Sequence, residues 1–285
     1  MKRRSHNTQL FALRQPPPQM LDVAGGRYRL ARVFKHDFFA ATCLYERVPL
    51  KPPGAAPVLP PFEKIVVKFG RKQDFCGLPA AWYGRLLRHH EREMYMRLAG
   101  IAGVPRWVGN VGLNGYAIEY VDALPLDHLD CPPAGLFDRL RLILDQIHAR
   151  GIAYGDANKR SNILVDAHGQ PHLIDYQIAL RRREDWPWPL RPLMAAAVRY
   201  MTHRDLYHLY KHKRRLAPQE LTPQEEELSY TRSFLHQLHR KLTDPWRAVR
   251  RAFLKRQYQR GALRSPTEGL EDHHQPEKET WRKEE

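Results

Sequence analysis

Residues 154 to 177, YGDANKRSNILVDAHGQPHLIDYQ, hold four polar side chains at close intervals: Asp156, Lys159, Asn162 and Asp175. Carboxylates and an amide are hard oxygen donors, the type that suits a small divalent cation. A carboxylate beside a hydroxyl can take its proton. An ammonium can neutralise negative charge as it develops. The apolar runs between them are too short to form independent strands. The four groups therefore sit on turns that neighbouring elements must hold in place.

Those elements can be read along the chain. Two strand patterns, YRLARVF and FFAATCLYERV, flank the polar turn Lys35-His36-Asp37, and KIVVKFG at 64–70 is a third. A proline-rich connection at 49–62 separates the second from the third. The segment from Trp82 has helical periodicity, with Leu86, Met94 and Leu98 among its apolar positions, and stops at Gly100. Two short strands with glycine turns follow within WVGNVGLNGYAIEYVDALPL. A strong helix then runs between Gly135 and Gly151, and after Arg191 the chain reads as almost wholly helical. A sheet-rich part followed by a helical part is an α+β class, and no internal repeat is evident.

This order of elements, with those polar residues, resembles the protein-kinase-like fold: two lobes, a small β-rich one and a helical one. The resemblance covers roughly residues 28 to 215. It implies that IVVK supplies the β-strand lysine, Lys68, and that the following helix supplies Glu91 to pair with it, with Glu93 as the alternative. IEYV resembles the hinge, with Ile118 near the gatekeeper and the main chain of Glu119 to Val121 meeting adenine. YGDANKRSNILV resembles the catalytic loop, with Asp156 as the base, Lys159 neutralising the γ-phosphate and Asn162 as a metal ligand. LIDYQ resembles the metal-binding turn, with Asp175 as the second ligand. The implied cofactors are ATP and Mg2+, and the implied reaction is transfer of a phosphoryl group to a hydroxyl. Such a reaction asks the protein mainly for positioning and charge neutralisation.

The chain departs from the common pattern in several places. Tyr154-Gly155-Asp156 stands where His-Arg-Asp is usual, and the lysine and asparagine each lie one position further on. Asp175 is followed by Tyr-Gln rather than Phe-Gly. The turn FKHDFFAA has no glycine, which leaves Lys35 or the backbone at 36–39 to cap phosphates. No Ala-Pro-Glu segment follows. These departures resemble the compact bacterial kinases, of the lipopolysaccharide (Kdo) kinase-like or RIO-like type. The literal HRDL at His203–Leu206 lies in a helical pattern with tyrosine where an asparagine would be needed. We read it as a helix and not as the catalytic loop.

The chain of 285 residues carries a formal charge of +16, which implies a polyanionic neighbour. Three scattered cysteines suggest a reducing, cytoplasmic setting, and no run of eighteen apolar residues occurs. Residues 1–27 read as a disordered basic tail, 28–121 as one lobe and 122–245 as the other. The remaining 246–285 read as a basic helix with a disordered tail. The stretch 246–264 has no acidic residue and could lie on an anionic membrane from the cytoplasmic side. Arg181-Arg182-Arg183 could meet an anionic acceptor or be a solvated loop. His208 and His212 have the spacing of a metal pair but lack a third ligand, and read as ordinary histidines. The expected activity is an ATP- and Mg2+-dependent phosphotransferase acting on a hydroxyl of a lipopolysaccharide-core sugar, another small molecule or a protein. A pseudokinase that senses nucleotide is the alternative. RNA binding is a third, with no recognition motif visible.

Overall fold

The computed structural model describes residues 11–49, 62–74 and 79–230, with the single residues 252, 256 and 267. The chain divides into two units, one comprising 1–89, 107–120 and 237–285, the other 90–106 and 121–236. The expectations for 246–264 and for the C-terminal tail fall outside the described residues, apart from those three single positions.

The first unit is built on six antiparallel strands in the order β1-β2-β3-β4-β6-β5. They are β1 (Met20–Val23), β2 (Gly26–His36), β3 (Ala40–Arg47), β4 (Lys64–Gly70), β5 (Trp107–Val111) and β6 (Gly115–Glu119). Alternation decides which face is buried. Ile65, Val67 and Phe69 of β4 point into a core with Val33, Ala41, Cys43, Tyr45 and Ala117. Ile65, Val67 and Phe69, removed from water, each contribute about 1.5–3 kcal/mol. Lys68 then falls on the opposite face of β4, in register with Thr42 on one side and Tyr116 on the other.

Residues 11–27 are not a disordered tail. Ala24 and Gly25, at φ 50° and 76°, make the two-residue turn of the β1–β2 hairpin. Phe11, Ala12 and Leu13 are buried, and Lys72 donates its main-chain N–H to the Ala12 carbonyl at 2.9 Å. Their apolar side chains gain more by covering the sheet than the basic residues around them lose.

The second unit holds β7 (Ala123–Pro125), β8 (Ile152–Ala153), β9 (Ile163–Asp166), β10 (Pro171–Leu173) and β11 (Leu180–Arg181). These strands pair as β10-β9-β7 and as β11-β8. Around them pack α2 (Leu136–Ala149), α3 (Leu190–Leu216) and α4 (Pro223–Tyr230). Helix α2 buries Leu136, Phe137, Leu140, Ile143, Leu144 and Ile147, a stripe at helical spacing. Helix α1 (Ala81–Leu98) ends at Gly100, whose φ of 85° suits the glycine found there. Of its expected apolar positions Met94 and Leu98 are buried, whereas Leu86 is exposed. Residues 90–106 group with the second unit, and not with an N-terminal lobe ending at 121, because their bonds lie there. Arg150 Nη1 donates to the carbonyls of Arg97 and Ala99, and Leu173 N–H donates to Gly103.

Gly84 shows packing overriding helix propensity. Alanine in a helix interior is favoured over glycine by about 1 kcal/mol. A Cβ on Gly84, however, would stand 2.4 Å from the Arg71 carbonyl oxygen and 2.9 Å from Asn114 Nδ2. Asn114 is buried and donates from Nδ2 to the Arg71 and Ala81 carbonyls at 2.7 and 2.8 Å. Gly84→Ala is expected to lower stability by about 1–3 kcal/mol, read by urea unfolding. An unchanged or raised midpoint would show that the neighbouring turn yields freely.

Candidate active site

The loop from Tyr154 to Asn162 connects β8 to β9, and helix α3 holds much of it. The Asp205 carboxylate, fully buried, accepts from the main-chain N–H of Tyr154 and of Gly155, both at 2.8 Å. It also meets His148 Nε2 of α2 at 3.1 Å. Three residues further along the loop, the Ala157 carbonyl lies 3.0 Å from His212 Nε2. Since a carbonyl can only accept, that nitrogen carries the proton. Lys211 Nζ donates to Asn158 Oδ1 at 3.2 Å. Gly155 has φ 83°, and a Cβ there would meet Met201 Cε at 2.8 Å and the Ile178 carbonyl at 3.0 Å. The glycine is required both by its conformation and by the close approach of α3.

Held in this way, the loop buries Asp156 and Asn162. Asn162 Nδ2 donates to Asp156 Oδ2 at 2.8 Å, and Lys159 Nζ donates to the same oxygen at 2.6 Å. The extra residue in the loop therefore keeps neither the lysine nor the asparagine from reaching the aspartate. Burial raises the Asp156 carboxyl above the ordinary carboxylate range. The Asp175 charge adds to that, and Lys159 and Asn162 oppose it. Asp175 is near enough to be felt, and its φ of 63° places it in the left-handed region. Aspartate tolerates that conformation better than most residues, and such outliers gather at functional sites.

Beneath the acids lie three buried tyrosines. Tyr176 packs edge-on to Tyr95 of α1 at 5.0 Å and to Tyr154 at 5.3 Å. Tyr154 donates its hydroxyl to the Ile174 carbonyl at 2.5 Å, and Tyr176 donates to Leu173 at 3.2 Å. Burial pushes the Tyr95 hydroxyl up, reinforced by the charges of Glu91 and Asp175 and offset by the Asp175 main chain. Glu91, Asp175 and Tyr95 are thus neighbours within the second unit. Where Phe-Gly would follow the aspartate, Tyr176 fills an aromatic position and also satisfies its own hydroxyl.

The structure separates Glu91 from Glu93. Glu91 is 1% exposed. Glu93 meets Arg97 at 3.1 Å, Arg181 at 2.9 Å and Arg183 at 3.7 Å. Burial opposes its ionisation, yet these arginines hold it below the usual range. Within the arginine run two of the three members pair with Glu93, and Arg182, itself exposed, pairs with Glu184 at 2.6 Å. Lys68 and Glu119 belong to the first unit; Glu91, Val121, Asp156, Lys159, Asn162 and Asp175 belong to the second.

The expected phosphate cap at 35–39 is already engaged. The Asp37 carboxylate accepts from the N–H groups of Phe39 and Ala40 at 2.8 and 2.9 Å and pairs with Lys35 at 2.7 Å. Burial works against its ionisation, but Lys35 and those two N–H groups hold its pKa low. At the other end of the sheet, Tyr120 N–H is donated to the Lys64 carbonyl at 3.4 Å.

Reading HRDL as helix agrees with its place in α3, but its aspartate was passed over as a functional residue. A signal was present. Val198, Asp205, Leu209 and His212 are all buried on α3 at helical spacing, and an acid in a buried stripe needs donors to face. His208 and His212 are both buried. Among the described residues no three His, Cys, Asp or Glu side chains are grouped to hold a metal ion.

The described residues are of α+β class, with a strand lysine in one unit and, in the other, a helix glutamate and a helix-anchored loop of Asp156, Lys159 and Asn162 followed by Asp175. No protein-family model and no curated protein sequence matches the chain. Two solved structures of the Rio2 kinase from Chaetomium thermophilum are similar. One, an ADP/Mg2+–phosphoaspartate complex, is 20% identical over 65% of this chain and 56% of that one, with a TM-score of 0.45. The second is 18% identical over 70% of this chain and 62% of that one, with a TM-score of 0.47. The chain thus spans less than two thirds of the length of either.

Asp205→Ala would leave two buried N–H groups facing nothing. With each unmet donor costing about 1–3 kcal/mol, a total loss of about 2–6 kcal/mol is expected from chemical unfolding. A loss below about 1 kcal/mol would mean the loop holds itself.

His212 predicts a pH effect. Burial pushes it down from 6.5 to about 4, partly offset by the bond to Ala157. Between those values the unfolded chain binds a proton that the folded chain refuses, so stability falls as pH drops from 6.5 towards 4. At 1.36 kcal/mol per unit this is about 3 kcal/mol across the window. His212→Gln keeps a donor and removes the titration. Its unfolding free energy is expected to fall less steeply there by that amount, and parallel curves would refute the assignment.

Proposed function

We propose that the chain is an ATP- and Mg2+-dependent phosphotransferase with an alcohol group as acceptor. The observation that carries this reading is the gathering of Asp156, Asn162 and Asp175 on a loop and turn held from behind. Asn162 turns its Nδ2 towards Asp156, which leaves its Oδ1 for a cation, and Asp175 supplies a carboxylate nearby. Two such ligands suit an ion that shares its coordination with phosphate oxygens, as Mg2+ commonly does. When bound, the ion would neutralise phosphate charge.

The protein's own groups do the rest. Asp156 accepts the proton of the acceptor hydroxyl, whose oxygen bonds to the γ-phosphorus while the bond to ADP breaks. Burial raises its proton affinity, which suits a base, and Lys159 beside it offsets charge on the transferring group. By the resemblance, Lys68 would serve the α and β phosphates, and the main chain at Glu119 and at Val121 would serve adenine. Lipopolysaccharide-core sugars, other small molecules and protein side chains all carry the required hydroxyl. A cytoplasmic site of action fits ATP as the donor.

A second reading, nucleotide sensing without turnover, is favoured by one observation: the Asp37 carboxylate already takes the Phe39 and Ala40 N–H groups and pairs with Lys35, in the turn expected to cap the phosphates. Single-turnover transfer from labelled ATP into envelope, metabolite and protein pools discriminates between the two. The wild type is expected to label a pool, and Asp156→Asn to do so about 10²–10⁴-fold more slowly. Asp175→Asn is expected to raise the Mg2+ concentration needed. No labelling by the wild type would leave the sensing reading standing, and equal rates for Asp156→Asn would remove the assigned base.

A further inference from the structure

Seven consecutive residues spanning the start of α3, Pro187 to Leu193, are all exposed, and all but Arg191 are apolar. Trp188 is 83% exposed and Leu193 68%. Single exposed apolar residues are ordinary, but a contiguous run marks a surface that meets something. The run lies in the same unit as Asp156. Eight residues beyond Leu193, about 12 Å along the helix axis, Met201 packs against the Gly155 turn.

Two features identify the kind of partner. The backbone of this run offers little that would be costly to desolvate. Pro187, Pro189 and Pro192 have no N–H, and those of Leu190 and Arg191 are both donated to the Pro187 carbonyl at 2.9 and 3.3 Å. At five of the seven positions, therefore, leaving water strands no main-chain donor. Its surroundings carry net positive charge as well: between 181 and 199 there are five arginines and two acids, and one further acid, Glu93, pairs with Arg181 and Arg183. Those acids are engaged, Glu184 with Arg182 and Arg191 at 2.6 Å each, and Asp185 with Arg183 at 4.0 Å. An exposed tryptophan among leucines, prolines and arginines matches a bilayer boundary, where an amphipathic ring sits at headgroup level and basic groups meet lipid phosphates. Among the described residues no helix is long and apolar enough to cross a membrane, so the segment would lie on one.

We propose that residues 187–193 form a docking surface for an anionic lipid bilayer. Trp188, Leu190 and Leu193 enter the interface, and Arg191 and Arg199 face the headgroups. This surface stands independently of phosphoryl transfer, so the test uses no nucleotide. The full chain is sedimented with vesicles of phosphatidylcholine alone and of phosphatidylcholine mixed with phosphatidylglycerol. The wild type is expected to bind the mixed vesicles, more weakly as salt rises. Trp188→Ser with Leu193→Ser is expected to lower partitioning by about tenfold or more, with the unfolding midpoint unchanged; Leu193→Ser alone gives a smaller loss.

No binding by the wild type overturns the proposal. So does undiminished binding by the double variant, which would place the contact elsewhere, for example in 246–264. Loss of self-association in the double variant, without any vesicle effect, would assign the surface to a second copy and overturn it equally.

Discussion

One buried carboxylate, that of Asp205, fixes the main chain from which the Tyr154–Asn162 loop departs. It accepts from two consecutive N–H groups, those of Tyr154 and Gly155, immediately before Asp156. A charged acceptor in a buried setting is costly unless its partners are complete. His148 and the two amides complete them. The same helix then meets the loop again through His212 and Lys211, so several loop residues depend on one rigid element. A loop that must present an acid at a defined place gains from such an anchor, because its own short strands supply little order.

The charge pattern around this loop follows from that anchoring. With Asp156 buried and near Asp175, two carboxylates share a confined space, and burial and mutual repulsion both raise the proton affinity of Asp156. Lys159 and Asn162 offset part of this. The tyrosines below contribute packing and satisfy their own hydroxyls without drawing on the acids. Glu93 and its arginines form a separate ion-pair group that leaves Glu91 as the buried acid of α1.

The placement of these polar residues on turns was legible in sequence because it depends on local order. Gly155, Asp156, Lys159, Asn162 and Asp175 sit at spacings that place them on turns beside short strands, and β4 and α2 announce themselves by alternation and by a period near 3.6. Reading α3 as helix was equally local. The difference in surroundings between Glu91 and Glu93 was not, since both lie in one helix and the arginines that meet Glu93 come from β11 and the segment after it. Residues 11–27 look polar and proline-rich, yet their few apolar side chains found a sheet to cover.

By itself the sequence determined which chemical groups the chain possesses and the local turns, strands and helices that carry them, because those depend on neighbours a few positions away. Asp205 is different. Its value depends on two amides fifty residues earlier in the chain, and no local pattern records that distance. Tertiary structure likewise decided that Asp37 closes its own turn, that Gly84 has no room for a methyl group, and that Pro187 to Leu193 stay exposed. In each case the outcome rests on what happens to pack against the residue, and that is a property of the assembled fold.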